Sequence, residues 1–550
     1  MSIKTIYDLV NHSVEKFADR IAYTMFERTE VTYAQVKEEI QKVQEELINS
    51  GLNPGDKVAI LSTNMPNWGI CYFSIVTAGM VAVPILPDFS SDELAMIITH
   101  SEAKALFVSD KLYSKLSKPT LNSLNVVIRT KNLAVIDRNC SDKGSIAIPS
   151  EDDLAVIIYT SGTTSKPKGV MLSHYNLISQ VHLLQVLFPI YCEDSFLSIL
   201  PLSHTFECSL GMLFPFRYGA QVTYLDRPPT ASTLLPALKH IRPTIMLIVP
   251  LIIEKIFKSQ VQAKFTSNTF WRTICKPRFM RNYLYGVAGR KLHKVFGEKL
   301  RFLGIGGAKL HPDTEEFLSI SKFPYAIGYG LTETAPVIAG ATPYKTRMGS
   351  TGPAMKGVEI RLDNINQSTG EGEIVTNTPC VMRGYYKNEE ATREVFTEDG
   401  WFRTGDLGVI EPDGYIHIKG RLKNMILGPS GENIYPEEIE SVLNSHHFIA
   451  DSIVTEEQGR LVALVHFDTE KLEAQFEQFK YEFQSGWESH MTEWEERKDK
   501  MMKEIQEYVN EKVNRFSKIS EVVEEKEEFV KTPTHKIKRF LYNKPKRDKK

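Results

Sequence analysis

The chain reads as a layered α/β protein with a β-rich section and a helical stretch near its C-terminus, and three observations support that reading. Apolar strand-like runs alternate with helical patterns: LAVIIYT at 154–160, QVTYL at 221–225 and TIMLIVP at 244–250. Alternation of this kind builds largely parallel sheets covered by helices. From about 345 to 420 the texture changes to short runs cut by Gly, Asp and Asn turns, such as GEGEIVT and GYIHIKG, which predicts a β-rich subdomain. Finally, Leu472, Phe476, Phe479, Phe483, Trp487, Met491 and Trp494 step by three and four, and Met502, Ile505 and Val509 resume the step. That is the stripe of a long amphipathic helix or a helix pair.

Size and composition bound the rest. At about 150 residues per domain, 550 residues suggest roughly three or four folding units. Hydrophobic residues at 42% and charged residues at 24% are those of an ordinary globular enzyme and exclude wholesale disorder. Sixty-six Lys and Arg against 68 Asp and Glu leave a net charge of -2, so no global basic field points to nucleic acid. Among the six cysteines the closest pair, Cys192 and Cys208, is 16 positions apart, which offers neither a zinc spacing nor a disulfide framework. A reducing cytosol is the expected compartment.

The N-terminal residues include Asp8, Glu15 and Asp19 and read as an amphipathic helix, not a signal peptide. Val58 to Pro87 has no charge and is long enough to tempt a membrane assignment. Its interior Asn64, Pro66, Asn67, Gly79 and Pro84, with β-rich pieces flanking a helical middle, favour strand-helix-strand in a buried sheet.

The segment Tyr159 to Gly169, YTSGTTSKPKG, follows a buried-strand pattern and places five Ser/Thr hydroxyls and two lysines among small residues. Free backbone N–H groups, hydroxyls and lysines suit a loop that wraps polyphosphate. No Walker spacing can be drawn through it. Further on stand Leu200-Pro201-Leu202-Ser203-His204, Gly306-Gly307-Ala308, Tyr329-Gly330-Leu331-Thr332-Glu333-Thr334, Thr404-Gly405-Asp406, Gly420-Arg421-Leu422-Lys423 and Pro533-Thr534-His535-Lys536-Ile537.

In that order these segments resemble the adenylate-forming superfamily of acyl-CoA synthetases, luciferases and peptide-synthetase adenylation domains, over nearly the whole chain. The resemblance weakens at 258–301 and 472–513. It implies a large N-terminal adenylation domain, 1–422, and a small mobile α+β C-terminal domain, 423–550, with the hinge at Lys423 and a helical insertion at about 472–513. It also implies a reaction in which a carboxylate attacks the α-phosphate of ATP and a thiol then displaces AMP. The carboxylate is already ionised at neutral pH, so the first step needs positioning and charge neutralisation, not a base.

By the same resemblance, Thr160, Ser161, Gly162, Thr163, Thr164 and Lys168 would hold the phosphates, and Thr160 and Glu333 the Mg²⁺. Thr332 would meet the α-phosphate. Gly307 and Ala308 would line the adenine, and Tyr329 would give it an aromatic face. Asp406 would accept from both ribose hydroxyls, with Arg421 reaching ribose or phosphate. Lys536 would bridge carboxylate and α-phosphate, and His204 would stand at the wall between acyl pocket and pantetheine tunnel. His535 stands where many members have Gly, Leu427 where some have Lys, and Cys208 near the place of a tryptophan gate in one branch.

The segment VPLIIEKI at 249–256 and the extra helices resemble the bacterial long-chain fatty acyl-CoA synthetase branch. The implied substrates are a medium- or long-chain fatty acid, ATP and coenzyme A. Alternatives keep the adenylation chemistry but change the acid, or use an acyl carrier protein as acceptor. Lys258 to Arg301 holds eleven bases against the single acid Glu298, interleaved with Phe265, Phe270, Trp271, Phe279, Tyr283 and Tyr285. Two readings fit: a solvated helical pair balancing the acidic 473–499 stretch, or reversible docking of a cytoplasmic protein on anionic lipid.

Overall fold

A computed structural model describes residues 3–140, 142–160, 167–262, 277–428, 432–483, 491–532 and 536–542. Among them, two eight-stranded sheets form the large N-terminal part. In one, strands Ser195–Ser198, Gln221–Tyr224, Ile245–Ile248, Phe302–Ile305 and Tyr325–Gly330 run parallel, with Val337–Gly340 antiparallel at one edge. In the other, Lys57–Leu61, Val81–Ile85, Ala103–Val108 and Leu154–Thr160 are parallel neighbours, and Lys168–Ser173 turns back on Leu154–Thr160. Buried on both faces, these strands are the near-continuous apolar runs seen in the sequence.

The charge-free stretch is strand-helix-strand: helix Pro66–Thr77 links Lys57–Leu61 to Val81–Ile85, and almost every residue in the three elements is buried. Pro66 sits in the helix's first turn, where its missing N–H costs no intrahelical bond. Phe73 and Tyr33 pack on Phe216 with ring centroids 4.7 and 4.6 Å apart, within the core that the two sheets share. The β-rich section is a four-stranded antiparallel sheet: Glu359–Asp363, Gly372–Asn377, Phe402–Ile410 and Ile416–Arg421.

A smaller C-terminal domain has strands Ile449–Glu457, Arg460–Phe467 and Glu521–Glu524 with helix Pro436–Ser445. The apolar stripe resolves into a helix pair, Thr469–Phe483 and Met491–Lys512. Phe479 and Trp494 are buried with their rings 5.5 Å apart, and Ile505 and Val509 are buried against the C-terminal sheet. Packing onto the body is therefore the fate of this stripe. The side chains of Phe483, Trp487 and Met491 lie outside the described residues, as do Lys264, Phe265, Phe270, Trp271, Arg272, Cys275 and Lys276.

Phe216 is the centre of the aromatic cluster and fully buried. Phe216→Ala is expected to cost the N-terminal part about 3 to 5 kcal/mol. Its urea midpoint should fall accordingly, and an unchanged midpoint would contradict this packing.

Candidate active site

The site is assembled at the carboxyl ends of the parallel strands, where open α/β sheets bind ligands. Strand Ser195–Ser198 leads into the segment carrying His204, and strand Phe302–Ile305 into exposed Gly307 and Ala308. Gly307 has φ +88°, a backbone conformation that favours glycine. Strand Tyr325–Gly330 leads into the short turn Thr332–Thr334, which presents Thr332 and Glu333.

The phosphate-loop segment joins two antiparallel strands, with Thr160 directly opposite Lys168. Ser161, Gly162, Thr163 and Thr164 lie outside the described residues. Lys168 places its ammonium 4.8 Å from the centre of the Tyr385 ring. The Tyr385 hydroxyl donates to Glu333 Oε1 at 2.8 Å. Lys168 and Glu333 thus flank one aromatic ring. Strand Gly384–Tyr385 pairs with Lys168–Ser173, Tyr385 facing Val170, which fixes that relation through the backbone.

Asp406 is buried, and it pairs across the sheet with Arg421. Arg421 Nε lies 2.8 Å from Asp406 Oδ1, and the Tyr329 hydroxyl donates to Asp406 Oδ2 at 2.7 Å. The backbone N–H of Asp406 donates to Thr404 Oγ1, whose own hydroxyl donates to the Ile374 carbonyl. Burial raises the Asp406 carboxyl above its ordinary range, and Arg421, the Tyr329 hydroxyl and Lys536 oppose that rise. Each carboxylate oxygen retains a second lone pair for a ribose hydroxyl. Tyr329 is itself 9% exposed, so its hydroxyl is committed to Asp406 while only a sliver of the residue meets the cleft.

Lys536 stands on a hairpin near the end of the chain. Lys531 bridges to Ile537, the Thr532 N–H donates to the Lys536 carbonyl at 2.7 Å, and the Lys536 N–H donates to Thr532 Oγ1. The residue is exposed to water, yet protein crowds the ammonium. Burial and the like charge of Arg421 lower its pKa, while Asp406 and Glu437 oppose them. Burial, followed by the charge of Lys536, holds His204 down to about 4. His204 Nδ1 accepts from the Phe206 N–H at 3.2 Å, which assigns the proton of the neutral ring to Nε2.

The structure therefore brings Asp406, Arg421, Tyr329, His204 and Lys536 together, and Thr160, Lys168 and Glu333 beside them. Lys423 is exposed in the turn Leu422–Asn424, directly after the last strand of the β-rich sheet. Tyr385 and Glu437 were not picked out from the sequence. A Gly-Tyr-Tyr run and a Glu in a helix's first turn are ordinary local patterns, and only tertiary contacts reveal them. Among the described residues no group of three or more His, Cys, Asp or Glu forms a metal cage. A lone carboxylate such as Glu333 suits a Mg²⁺ whose remaining ligands would be phosphate oxygens and water.

Two residues on from His204, Phe206 begins the lining of an apolar pocket, with Leu210, Leu247, Gly304, Gly328 and Gly340 among its other walls. Gly328 and Gly340 are opposed across two strands and Gly304 lies one strand further on, so missing side chains create this space. The pocket can hold an aliphatic tail and has no charged side chain for a second carboxylate.

Solved structures share the fold. The Bacillus subtilis o-succinylbenzoate CoA synthetase in complex with its acyl-adenylate intermediate aligns over 98% of both chains with TM-score 0.75 and 22% identity. ATP-bound MatB from Rhodopseudomonas palustris aligns over the same share of both chains, also at TM-score 0.75 and 22% identity. Among curated proteins, the peroxisomal long chain acyl-CoA synthetase 7 of Arabidopsis thaliana is 28% identical over 535 residues, covering 87% of this chain and 76% of the relative. The long-chain-fatty-acid–CoA ligase FadD15 of Mycobacterium bovis is 28% identical over 481 residues, covering 81% and 78%. The chloroplastic long-chain-fatty-acid–[acyl-carrier-protein] ligase AEE15 of Arabidopsis thaliana is 28% identical over 559 residues, covering 84% and 76%. The family profile for AMP-binding enzymes spans residues 10–386, from the first helix through Tyr385 and beyond the phosphate-loop strands, and the chain belongs to the AMP-binding enzyme family.

Proposed function

We propose that the protein is an ATP-dependent ligase that converts a medium- or long-chain fatty acid to acyl-AMP and then to the coenzyme A thioester. The observation that carries this reading is Lys536, from near the end of the chain, lying within electrostatic reach of Asp406, Arg421 and His204, with Phe206, two residues on from His204, lining an apolar pocket. The names of the curated relatives support the fatty acid and the thiol.

In the first step a carboxylate oxygen bonds to the α-phosphorus and the bond to the bridging oxygen breaks, its electron pair leaving on pyrophosphate. Two anions must meet, so cations decide the barrier. Lys536 bridges the carboxylate and the α-phosphate, with Thr332 at the α-phosphate. Lys168 and the 160–168 loop hold the outer phosphates. Thr160 and Glu333 are the residues for the Mg²⁺ that enters with ATP, which offsets phosphate charge. Asp406 and Arg421 hold the ribose, and Gly307, Ala308 and Tyr329 border the adenine. Neutral His204 presents Nε2–H as a donor at the pocket wall.

In the second step the thiol sulfur attacks the acyl carbon, the bond to AMP breaks, and the thiol proton is released. Lys536 occupies the ground a thiol must cross, so residues 423–550 swing away from 1–422 about Lys423. The acyl-carrier-protein ligase among the relatives favours one variant of this reading, in which a carrier protein supplies the thiol.

Lys536→Ala should reduce acyl-AMP formation by about 10²- to 10³-fold, roughly 3 to 4 kcal/mol, and spare thioester formation from supplied acyl-AMP. Comparable loss in both half-reactions would contradict the assignment. Because the folded Lys536 pKa is lowered, wild-type adenylation should decline as pH rises through a value below the ordinary 10.4 or so, and the alanine variant should lack that limb. Running the thioester step with coenzyme A and with a holo carrier protein separates the two acceptors.

The reading extends to peripheral contact with anionic membrane on the cytoplasmic side. Among the described residues no helix is long and apolar enough to cross a membrane. In helix Arg278–Val295, exposed Phe279, Tyr283, Arg290 and Lys294 recur at helical spacing on one face. Rings and cations on one face suit a lipid headgroup layer. Other bases of the segment are committed elsewhere: Arg281 pairs with Glu316, Arg301 with Asp194, and Lys258 donates to the Asn444 carbonyl. Arg290→Glu/Lys294→Glu should weaken co-sedimentation with anionic vesicles at low salt. Binding that is unchanged, or equal on neutral vesicles, would contradict it.

A further inference from the structure

The apolar pocket runs along the parallel strands, and its deep end is built from residues at their amino ends. Phe302 begins its strand, and Gly307 beyond the other end borders the nucleotide site. Five residue steps at about 3.3 Å give a depth of roughly 16 Å. At that end the Phe188 and Phe302 rings pack with centroids 4.4 Å apart, and both residues are only partly buried. These two partly buried rings form the pocket wall at that end.

That wall is held on its outer side. Phe188 ends helix His174–Leu187 and starts the loop 188–194. Arg301 lays its guanidinium 4.6 Å from the Phe188 ring centre and donates to the Pro189 carbonyl at 3.1 Å. Its Nε donates to Asp194 Oδ1 at 2.7 Å, and Asp194 also accepts from the Thr244 hydroxyl and the Tyr191 N–H. Gln185 clamps the middle of the loop, donating to the Ile190 carbonyl and accepting from its N–H. Each of these groups acts on the loop and none reaches the nucleotide residues.

We propose that Phe188, held in place by Arg301 as a positioning residue, is the chain-length stop of this enzyme, an inference that rests on reading the pocket as the fatty-acyl site. A saturated chain built from bonds of about 1.5 Å advances roughly 1.25 Å per carbon, so about twelve carbons reach the Phe188–Phe302 wall. Shorter acids gain affinity with each added methylene. Longer acids bind by displacing Phe188 outward against the Arg301 clamp.

The test is kcat/KM for pyrophosphate release with saturated acids. Wild-type values should rise, by up to roughly fourfold per methylene, to a break near about twelve carbons. Phe188→Ala should move the break to acids longer by roughly two to four methylenes, the space a phenyl ring vacates. Phe188→Leu and Arg301→Gln should move it the same way by less, and a stability loss alone would lower all acids together without moving the break. A break at the same chain length in wild type and in a folded Phe188→Ala or Phe188→Leu variant would overturn the stop and leave the fatty-acid reading standing. If wild type activates no aliphatic acid, the fatty-acid reading fails and the stop with it.

Discussion

The rest of the site depends on holding a second cation beside Arg421 before the anion that needs it has arrived. Lys536 and Arg421 repel each other, and both are crowded by protein. Asp406 and Glu437 offset that repulsion without removing it. ATP and a carboxylate supply the missing negative charge, so substrate binding favours the closed arrangement through its differential interaction with the two states. In that mechanism, most of the charge would leave with pyrophosphate and the hold on Lys536 would weaken. In the proposed mechanism this single electrostatic imbalance would order the two half-reactions.

The contacts that seat the C-terminal domain match this demand. Lys538 meets Glu93 at 3.5 Å, Lys309 meets Glu438 at 3.3 Å, Lys258 donates to the Asn444 carbonyl, and the Tyr435 hydroxyl donates to Glu371. Partly exposed ion pairs are worth about 0 to 1 kcal/mol each, so such a seat can be made and broken within a catalytic cycle. The N-terminal sheets are the opposite case. Their strands are buried on both faces, and that packing fixes the segments carrying His204, Gly307 and Glu333 relative to one another.

Much of this was legible in the sequence wherever the signal is local. The apolar runs at 154–160, 221–225 and 244–250 are strands because both faces are buried, and helices Thr469–Phe483 and Met491–Lys512 carry the stripe because Phe476, Phe479 and Trp494 pack on one another while Leu472, Met502, Ile505 and Val509 meet the C-terminal sheet. Asp406, Arg421 and Lys536 could be singled out only through the order of segments, since each alone is an ordinary turn or surface residue. Tyr385, Glu437 and Phe188 left no such trace. Their roles come from what lies across a sheet or a cleft: Lys168 over the Tyr385 ring, Lys536 near Glu437, Arg301 over Phe188. In the basic segment 258–301 composition alone does not separate paired from unpaired cations, and the fold gives Lys258, Arg281 and Arg301 partners.

The central claim is that one lysine must be seated for adenylation and absent for thioester formation. The most direct measurement locks the seat: Glu93→Cys/Lys538→Cys, bridged by a bifunctional maleimide, with both half-reactions followed before and after bridging and the two single variants as controls. The account predicts that the bridged enzyme still makes acyl-AMP but no longer passes it to the thiol. Thioester formation at the unbridged rate in fully bridged enzyme would contradict it.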